Sequence, residues 1–375
     1  MRVGLDGIPL ASPKTGIGHY TFELARALAN GAPDDEFQLI SPVPMTFLTK
    51  DDVDNSPLNL EVVEARRRLR WWVFGLPGYG QKNQLALFHG TNYQIPLWSS
   101  FPKIVTIHDL SLLLHGETHT GADVRRARRR LPLMAKAATM IITATESVKR
   151  EICEHLRVEP GKVAVTPYAA RKQFRPTSPE HAAEVKKRLG VDDEFVLFVG
   201  TIEPRKNLIT LVKAFTELLR TTDLNPQLVI AGKEGWLTGE LFSYIAKSKA
   251  KERILFLGYL SDKDLAALYS SCKACVYPSL YEGFGLPPLE AMACGAPVIT
   301  SSITTIMETV GSAARLIAPR DVEGLAESLM ALLKNENQRS QLSAAGLQRA
   351  QEFTWERTAR ATLEVYGEAL RRWRI

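Results

Sequence analysis

The sequence lacks the features that mark several other protein classes. It contains no run of about 18 consecutive apolar residues, so we expect no transmembrane helix. Its N-terminus enters a strand pattern at once, without the apolar segment of a signal peptide. The formal net charge of +6 is mild for 375 residues and does not indicate a nucleic-acid-binding protein. These absences predict a cytoplasmic protein that binds no nucleic acid.

Cysteine is scarce, and its spacing gives no sign of a metal site. Only four cysteines occur, and Cys272 and Cys275 form a single C-x-x-C pair without a second Cys or His pair at zinc spacing. Reduced cysteine behaves as a small apolar side chain. We therefore expect buried, reduced thiols.

What is present is an ordinary globular composition, with 45% hydrophobic and 23% charged residues. The length suits two domains of about 150–200 residues each. Apolar runs of strand length alternate with segments of helical periodicity, which predicts an α/β fold with parallel sheets. We place a first domain at residues 1–170, a second at residues 171–355 and a final helical segment at residues 356–375.

The stretch from Pro278 to Ser301 carries the clearest chemical signal. Glu282 and Glu290 stand eight residues apart in it. The pattern predicts a strand before them, a short helix from Leu289 and a second strand after that helix. We place Glu282 on the loop and Glu290 in the first helical turn. Both carboxylates would then face a cleft at the carboxyl end of a parallel sheet, where open α/β folds bind ligands.

The loop between these carboxylates suits an anion. Its glycines let backbone N–H groups approach a ligand closely, and a helix N-terminus favours negative charge. One carboxylate can accept hydrogen bonds from a ribose diol and the other from sugar hydroxyls. The candidate phosphate-binding amides are those of Gly283, Phe284, Gly285 and Leu286. The alternative is a plain βαβ turn with an acidic first helical turn.

Two cations follow the first predicted strand of the second domain. Arg205 and Lys206 come shortly after the strand Glu194–Val199, and Asn207 is a candidate helix cap. Adjacent cations at the mouth of a cleft can neutralise a diphosphate, Arg through its fork and Lys as a point charge. The alternative is a pair of solvated charges at a helix end.

The first domain offers weaker signals. A strand from Val3 to Asp6 leads into a loop that contains Gly16 and Gly18, and a helix follows. This is the geometry that cradles phosphate, although the loop does not match G-x-G-x-x-G. His108 follows the predicted strand Lys103–Ile107 and would point into a cleft, unless it is a structural histidine with satisfied hydrogen bonds.

The run E-G-F-G-L-P-P-L-E-A-M-A-C-G-A-P-V-I-T-S strongly resembles the E-x7-E signature of the retaining glycosyltransferases of family 4. The segments T-G-I-G-H-Y, H-D-L and E-P-R-K-N-L also resemble family patterns, so the resemblance covers nearly the whole chain. It implies the GT-B fold, in which two doubly wound, Rossmann-like domains face each other and a terminal helix crosses back to the N-terminal domain. One departure is Thr201, where many relatives place an arginine.

The resemblance also implies roles for the candidate residues. His108 and Glu282 would contact the donor sugar, and Glu290 would bind the ribose. Arg205, Lys206 and the amides from Gly283 to Leu286 would hold the diphosphate. The loop with Gly16 and Gly18 would lie over the donor diphosphate or the acceptor. No metal or other cofactor is expected, since no D-x-D occurs at a position that demands one, and attack would come from the front face.

The substrates are less sharply defined. Resemblance to bacterial mannosyltransferases of polysaccharide assembly favours GDP-mannose as donor and a glycan or lipid-linked glycan as acceptor, as in lipopolysaccharide synthesis. The alternatives are a transferase for a UDP- or dTDP-sugar, a GT-B sugar-nucleotide epimerase, a glycoside hydrolase with Glu282 and Glu290 as acid and base, and a non-catalytic module that binds sugar nucleotides or lipids.

Two basic clusters in the first domain predict contact with anionic lipid. One combines Arg66, Arg67, Arg68 and Arg70 with Trp71 and Trp72, and the other is Arg125, Arg126, Arg128, Arg129 and Arg130. Clustered arginines attract anionic lipid, and tryptophan favours the membrane interface. Since the resemblance implies that the first domain binds the acceptor, they predict either a peripheral protein at the inner face of the cytoplasmic membrane or the binding of a phospholipid acceptor. The alternative is a solvated helix face with internal ion pairs.

Overall fold

The computed structural model describes residues 1–11, 16–57, 59–65 and 70–373. The strands of the described residues are β1 Arg2–Asp6, β2 Glu36–Ser41, β3 Leu60–Glu64, β4 Leu87–Gly90, β5 Lys103–Thr106, β6 Met140–Thr143, β7 Val163–Val165, β8 Phe195–Val199, β9 Gln227–Ala231, β10 Ile254–Gly258, β11 Ala274–Tyr277, β12 Val298–Ser301 and β13 Arg315–Ile317.

The α-helices of the described residues are α1 Gly16–Gly31, α2 Lys50–Asp54, α3 Leu76–Lys82, α4 Ser111–Leu114, α5 Gly121–Ala137, α6 Glu146–Leu156, α7 Pro179–Leu189, α8 Leu208–Thr221, α9 Gly239–Lys247, α10 Asp262–Ser271, α11 Leu286–Ala293, α12 Thr304–Val310, α13 Val322–Lys334, α14 Glu336–Ala350 and α15 Trp355–Trp373. In these parts of the chain, no helix combines the length and the apolar character needed to cross a membrane.

The chain forms two compact units. Unit 1 comprises Met1–Leu113, Ala122–Tyr168 and Thr354–Ile375, and unit 2 comprises Leu114–Gly121 and Ala169–Phe353. Unit 1 contains a sheet in the order β3-β2-β1-β4-β5-β6-β7, and unit 2 contains one in the order β10-β9-β8-β11-β12-β13. Both sheets are parallel throughout the described residues. The predicted α/β class with two Rossmann-like, doubly wound sheets is confirmed.

The apolar strands of unit 2 explain its layers. Phe195 to Phe198 in β8 and Leu228 to Ile230 in β9 are fully buried, because helices cover both faces of a parallel sheet. Helices α8 and α13 pack against each other, as do α11 and α14. The strand order reverses between β8 and β11, so the loops that follow these two strands flank the switch point where such folds bind ligands.

The last helix belongs to unit 1. It packs against α1, and Thr354 begins it by accepting a hydrogen bond from Arg357 N at 3.2 Å. Within the sheet region, the buried Tyr366 hydroxyl lies 2.8 Å from His89 Nδ1. Thr358 donates to the carbonyl of Pro167 at 2.6 Å, which ties α15 to the chain just after β7.

A short segment inside the first half of the sequence belongs to unit 2. Residues Leu114–Gly121 are flanked on both sides by unit 1. Trp236 Nε1 donates to the carbonyl of Thr118 at 2.8 Å, and the rings of Trp236 and His119 stack at 5.8 Å. The His115 ring lies 4.8 Å from that of Tyr281. The segment carries no sequence signal of a change of domain.

One predicted cap needs correction. Asn207 adopts a left-handed backbone, with φ of 57°, and makes no side-chain cap. Thr145 caps α6 by accepting a hydrogen bond from Val148 N at 3.2 Å, and Ser147 lies in the first turn of that helix. Pro179 begins α7, which suits proline at the first helical position.

Helix α11 begins earlier than predicted. It starts at Leu286, because Pro287 and Pro288 fit the first turn of a helix, where proline loses no intrahelical hydrogen bond. Glu290 therefore lies in the second turn, and its placement in the first turn was wrong.

Candidate functional site

Arg205, Lys206 and Glu282 form a buried charge cluster at the switch point of unit 2. The cations lie in the short turn after β8, and the carboxylate lies in the loop after β11. Lys206 Nζ is 2.6 Å from Glu282 Oε1, and Arg205 Nη1 is 3.0 Å from Oε2. Since β8 and β11 are neighbouring parallel strands, the loops after them meet at one edge of the sheet.

Backbone and side-chain bonds fix these two loops to each other. Leu280 N donates to the carbonyl of Arg205 at 2.9 Å. Asn207 Nδ2 donates to the carbonyl of Pro278 at 2.9 Å. The predicted capping residue therefore fastens the two loops together, and in this way it holds the cations beside Glu282.

The cluster is electrostatically compensated. Burial alone would raise the pKa of Glu282, but Arg205 and Lys206 outweigh it and hold that pKa at about 2. Burial lowers the pKa of Lys206, and Glu282 opposes this effect. Arg205 also donates to Glu203 Oε1 at 2.7 Å and to the carbonyl of Tyr281 at 3.0 Å. Two cations thus face two carboxylates, so the cluster carries little net charge.

Tyr277 completes the cluster and was missed by sequence reasoning. Its hydroxyl accepts from Lys206 Nζ and donates to Glu282 Oε1 at 3.1 Å. Lys206 Nζ also lies 4.9 Å from the centre of the Tyr277 ring, within cation–π range. As the last residue of an apolar strand, Tyr277 resembles a core residue in the sequence, and no local pattern distinguishes it.

Glu290 is held by a different cation. Its Oε1 accepts from Arg171 Nε at 3.0 Å, and Arg171 Nη1 lies 2.6 Å from Asp262 Oδ1. Burial raises the pKa of Glu290, and Arg171 opposes this effect. Arg171 was also missed, because a lone arginine in a proline-punctuated loop carries no periodicity. Glu282 and Glu290 therefore have separate partners.

The N-terminus of α11 presents few backbone donors. Gly285 precedes the helix with φ of 94°, and a Cβ there would lie 2.4 Å from Ile306 Cδ1, so only glycine fits. Pro287 and Pro288 have no N–H group. The backbone donors that remain for an anion at this helix start are the amides of Gly285, which precedes the helix, and Leu286.

Phe284 and Gly283 are buried in the same loop. The ring of Phe284 packs edge-on against that of Phe353 at 5.7 Å. Its side chain therefore serves packing, and any ligand contact of this residue must come from its backbone.

His108 lies in unit 1 with both ring nitrogens engaged. Nε2 is 2.9 Å from the carbonyl of Thr91, which can only accept, so Nε2 carries the proton and Nδ1 accepts from the Tyr168 hydroxyl at 2.7 Å. Burial lowers the pKa of His108 to about 4. The imidazole is thus neutral near pH 7, and a sugar hydroxyl could bind either nitrogen only in place of an existing partner.

Gly16 and Gly18, the two candidate site glycines of unit 1, differ in their surroundings. A Cβ at Gly18 would lie 3.1 Å from the Phe47 ring and 3.2 Å from the carbonyl of Pro9, which explains a glycine there by packing. Gly16 is exposed and begins α1, with nothing within 4 Å of an added Cβ. Residues 12–15 of this loop lie outside the described residues.

The cysteines are free, as predicted. Cys272, Cys275 and Cys294 are buried and Cys153 is half-buried. Burial raises the pKa of each of the three buried thiols. Across residues 1–11, 16–57, 59–65 and 70–373, no three His, Cys, Asp or Glu side chains are grouped so as to hold a metal ion.

Comparisons with known proteins agree with this architecture. The model of "Glycosyl transferases group 1" matches residues 181–349, and that of "Glycosyltransferase Family 4" matches residues 14–169. O-antigen chain mannosyltransferase B of Escherichia coli is 30% identical over 98% of this chain and 99% of that protein.

Two solved structures share the fold at low sequence identity. Sucrose-phosphate synthase from Thermosynechococcus elongatus is 22% identical, with a TM-score of 0.77 and 98% of each chain covered. HepE from Anabaena, solved in complex with UDP, is 19% identical with a TM-score of 0.73 over 98% of this chain and 99% of that chain. With these matches and a relative that spans its whole length, the chain belongs to the family 4 glycosyltransferases and has the GT-B fold.

Proposed function

We propose that this glycosyltransferase transfers mannose from GDP-mannose to a glycan or lipid-linked glycan acceptor during the synthesis of a cell-surface polysaccharide. The name of the E. coli relative, an O-antigen chain mannosyltransferase that aligns along the whole chain, supports mannose and this class of acceptor. UDP in the HepE structure keeps a UDP-sugar as the alternative donor.

The contact of Lys206 and Arg205 with Glu282 carries the proposal. Both cations stand at the edge of the sheet where doubly wound folds bind ligands, and both pair with Glu282. Lys206 is buried and Arg205 is half-buried. A nucleoside diphosphate brings the negative charge that can replace Glu282 as their partner. The cations then stabilise the diphosphate as it leaves, which is an electrostatic contribution to catalysis.

The other site residues take supporting roles. Glu290 binds the ribose, and His108 and the released Glu282 contact the sugar. The amides of the loop from Gly283 to Leu286 hold phosphate oxygens. Gly16 and Gly18 lie at the start of α1, where a helix N-terminus suits a phosphate. Neither a metal nor another cofactor takes part in this scheme.

The chemistry retains the anomeric configuration. The bond from the anomeric carbon to the diphosphate oxygen breaks, and the acceptor oxygen forms its bond on the same face. The leaving phosphate takes the acceptor proton. No residue of the enzyme forms a covalent intermediate, so no nucleophile is needed on the opposite face.

The place of action is the inner face of the cytoplasmic membrane. All five arginines of α5 are exposed, and among the described residues only Arg126 of the five pairs with a carboxylate, that of Asp123. Unpaired arginines suit anionic lipid. Arg66, Arg67 and Arg68 lie outside the described residues. Trp71 is buried, so its predicted role at the membrane interface is wrong. Phe74, whose ring lies beside Arg70, is the exposed aromatic side chain that suits this role.

A thermal-shift panel of nucleotide sugars tests the donor. A ligand that binds only the folded protein stabilises it by RT ln(1 + [L]/Kd). GDP-mannose should give the largest increase in Tm, above GDP-glucose, UDP-glucose and dTDP-glucose. A larger shift with a UDP- or dTDP-sugar would overturn the mannose donor, and no shift with any of them would overturn nucleotide-sugar binding. An assay of labelled product then separates transfer from epimerisation.

A further inference from the structure

Arg171 links two acidic side chains beneath the second carboxylate of the E-x7-E motif. It lies in the loop between β7 and α7, and its side chain is 8% exposed. Its Nε donates to Glu290 Oε1 at 3.0 Å and its Nη1 to Asp262 Oδ1 at 2.6 Å. The guanidinium also lies 4.4 Å from the centre of the Phe174 ring, which fixes its plane from one side.

The contact leaves one oxygen of Glu290 open. Within the described residues, Oε1 accepts from Arg171 and no side chain or backbone group donates to Oε2. The guanidinium of Arg171 is itself held by Asp262, and it directs its Nε–H at Oε1, which fixes the position of that oxygen. Glu290 is therefore held at one oxygen and presents the other to a ligand.

Among the described ionisable groups that face Glu290, Arg171 is the cation. These groups are Arg171, Asp262, Tyr269 and Cys294. Burial raises the pKa values of the Tyr269 hydroxyl and the Cys294 thiol, so both stay neutral at pH 7. Asp262 is anionic and would disfavour a second negative charge nearby. Gln173 Nε2 donates to Asp262 Oδ2 at 2.7 Å and keeps that carboxylate turned toward Arg171.

We propose that Arg171 is a positioning residue that orients Glu290 as the hydrogen-bond acceptor for the ribose hydroxyls of the nucleotide donor, an inference that rests on the nucleotide site proposed above. Arg171 touches neither sugar nor phosphate in this role. It acts through Glu290, first by holding Oε1 in place and second by keeping the buried carboxyl ionised. A protonated Glu290 would lose acceptor capacity at the oxygen that carries the proton.

Calorimetric titration of GDP across pH 6–9 tests this role. In Arg171→Met, the dissociation constant for GDP should rise about tenfold or more relative to wild type at pH 6. The ratio should shrink toward pH 9, because loss of the cation leaves burial unopposed and raises the pKa of Glu290 further. Taking the ratio to wild type removes the titration of the nucleotide's own phosphate.

Two further variants make the test specific. Arg171→Lys keeps the charge without the fork, so it should weaken GDP binding severalfold while keeping the wild-type pH profile. Arg171→Met in a Glu290→Gln background should change the affinity little at any pH. Arg188 of α7 pairs on the surface with Asp264, which lies in α10 together with Asp262. Arg188→Met is therefore the matched control, and it should leave GDP affinity unchanged.

The outcomes separate the inference from the function on which it rests. If wild type binds neither GDP nor UDP, the proposed nucleotide site fails. If wild type binds but Arg171→Met weakens binding equally at every pH, or weakens it as much when Glu290 is already glutamine, the positioning role is wrong. If Arg171→Met does not fold, Arg171→Lys decides: a pH profile that differs from wild type overturns the role.

Discussion

Lys206 is bound to the carboxylate of Glu282, with Nζ 2.6 Å from Oε1, although the two residues are 76 positions apart in the sequence. The contact joins the loop after β8 to the loop after β11. It places a buried cation at the switch point and supplies its counter-ion from within the protein. In this structure Glu282, the first carboxylate of the E-x7-E motif, is thus paired with Lys206, the cation that we assign to the donor diphosphate.

Glu282→Gln should separate turnover from nucleotide affinity. The substitution removes the counter-ion of Lys206 and Arg205, so GDP should bind as tightly as to wild type or more tightly. Turnover should fall by about 10–150-fold, since a lost hydrogen bond to a charged group costs about 1.5–3 kcal/mol. Steady-state kinetics with saturating donor and calorimetry with GDP measure the two effects. A variant with wild-type kcat would show that Glu282 does not contact the sugar.

His108→Ala should lower kcat without changing GDP affinity, because in the proposed function His108 contacts the donor sugar, which GDP lacks. The imidazole stays neutral above a pKa of about 4, so its titration should leave no step in the rate between pH 6 and 8. NMR of labelled histidine checks the protonation state directly. A His108 resonance that titrates near pH 6.5 would contradict the buried, doubly bonded imidazole.

The buried carboxyl of Asp6 should make stability depend on pH. Burial raises its pKa from 3.8 to about 7, and the hydrogen bond from Ile8 N opposes this effect. The folded protein therefore holds a proton that the unfolded chain releases, and stability falls as pH rises from about 4 to about 7.

Asp6→Asn removes this titration. The free energy of unfolding at pH 8 should increase by up to about 4 kcal/mol, with a much smaller gain at pH 4. Denaturant unfolding of both proteins at the two pH values measures the difference. An equal change at both pH values would mean that folding does not raise the pKa of Asp6.

Transfer should continue in the presence of EDTA. In the proposed mechanism Arg205, Lys206 and backbone amides neutralise the diphosphate, so a chelator has nothing essential to remove. Initial rates with excess EDTA, compared with rates in Mg²⁺ and Mn²⁺, test this point. Loss of activity with EDTA and its rescue by either ion would contradict the cation clamp.

Much of the fold follows from local patterns. The strand–loop–helix order around Glu282 is visible because an apolar run, a glycine-punctuated loop and a proline pair follow one another. Such patterns also place Arg205, Lys206 and Glu282 at the ends of strands. They do not reveal strand order, and it is the adjacency of β8 and β11 that turns three separate residues into one cluster.

Other features depend on tertiary contacts that leave no local trace. Arg171 lies in an irregular loop, and its function comes from Glu290, 119 positions later in the chain. Thr145 and Ser147 are both good capping residues, and only the backbone geometry shows that Thr145 is the cap. The segment Leu114–Gly121 joins unit 2 through Trp236, a contact that no periodicity predicts.

The assignment of Lys206 to the diphosphate is tested by comparing GDP with guanosine as ligands of wild type and Lys206→Met. If Lys206 binds the diphosphate, the substitution should weaken GDP binding by about 10–150-fold, the equivalent of one charge-assisted hydrogen bond, and leave guanosine binding unchanged. Calorimetric titration of each ligand into each protein gives the four affinities. An equal loss for guanosine and GDP, or no loss for GDP, would contradict the assignment of Lys206 to the leaving diphosphate.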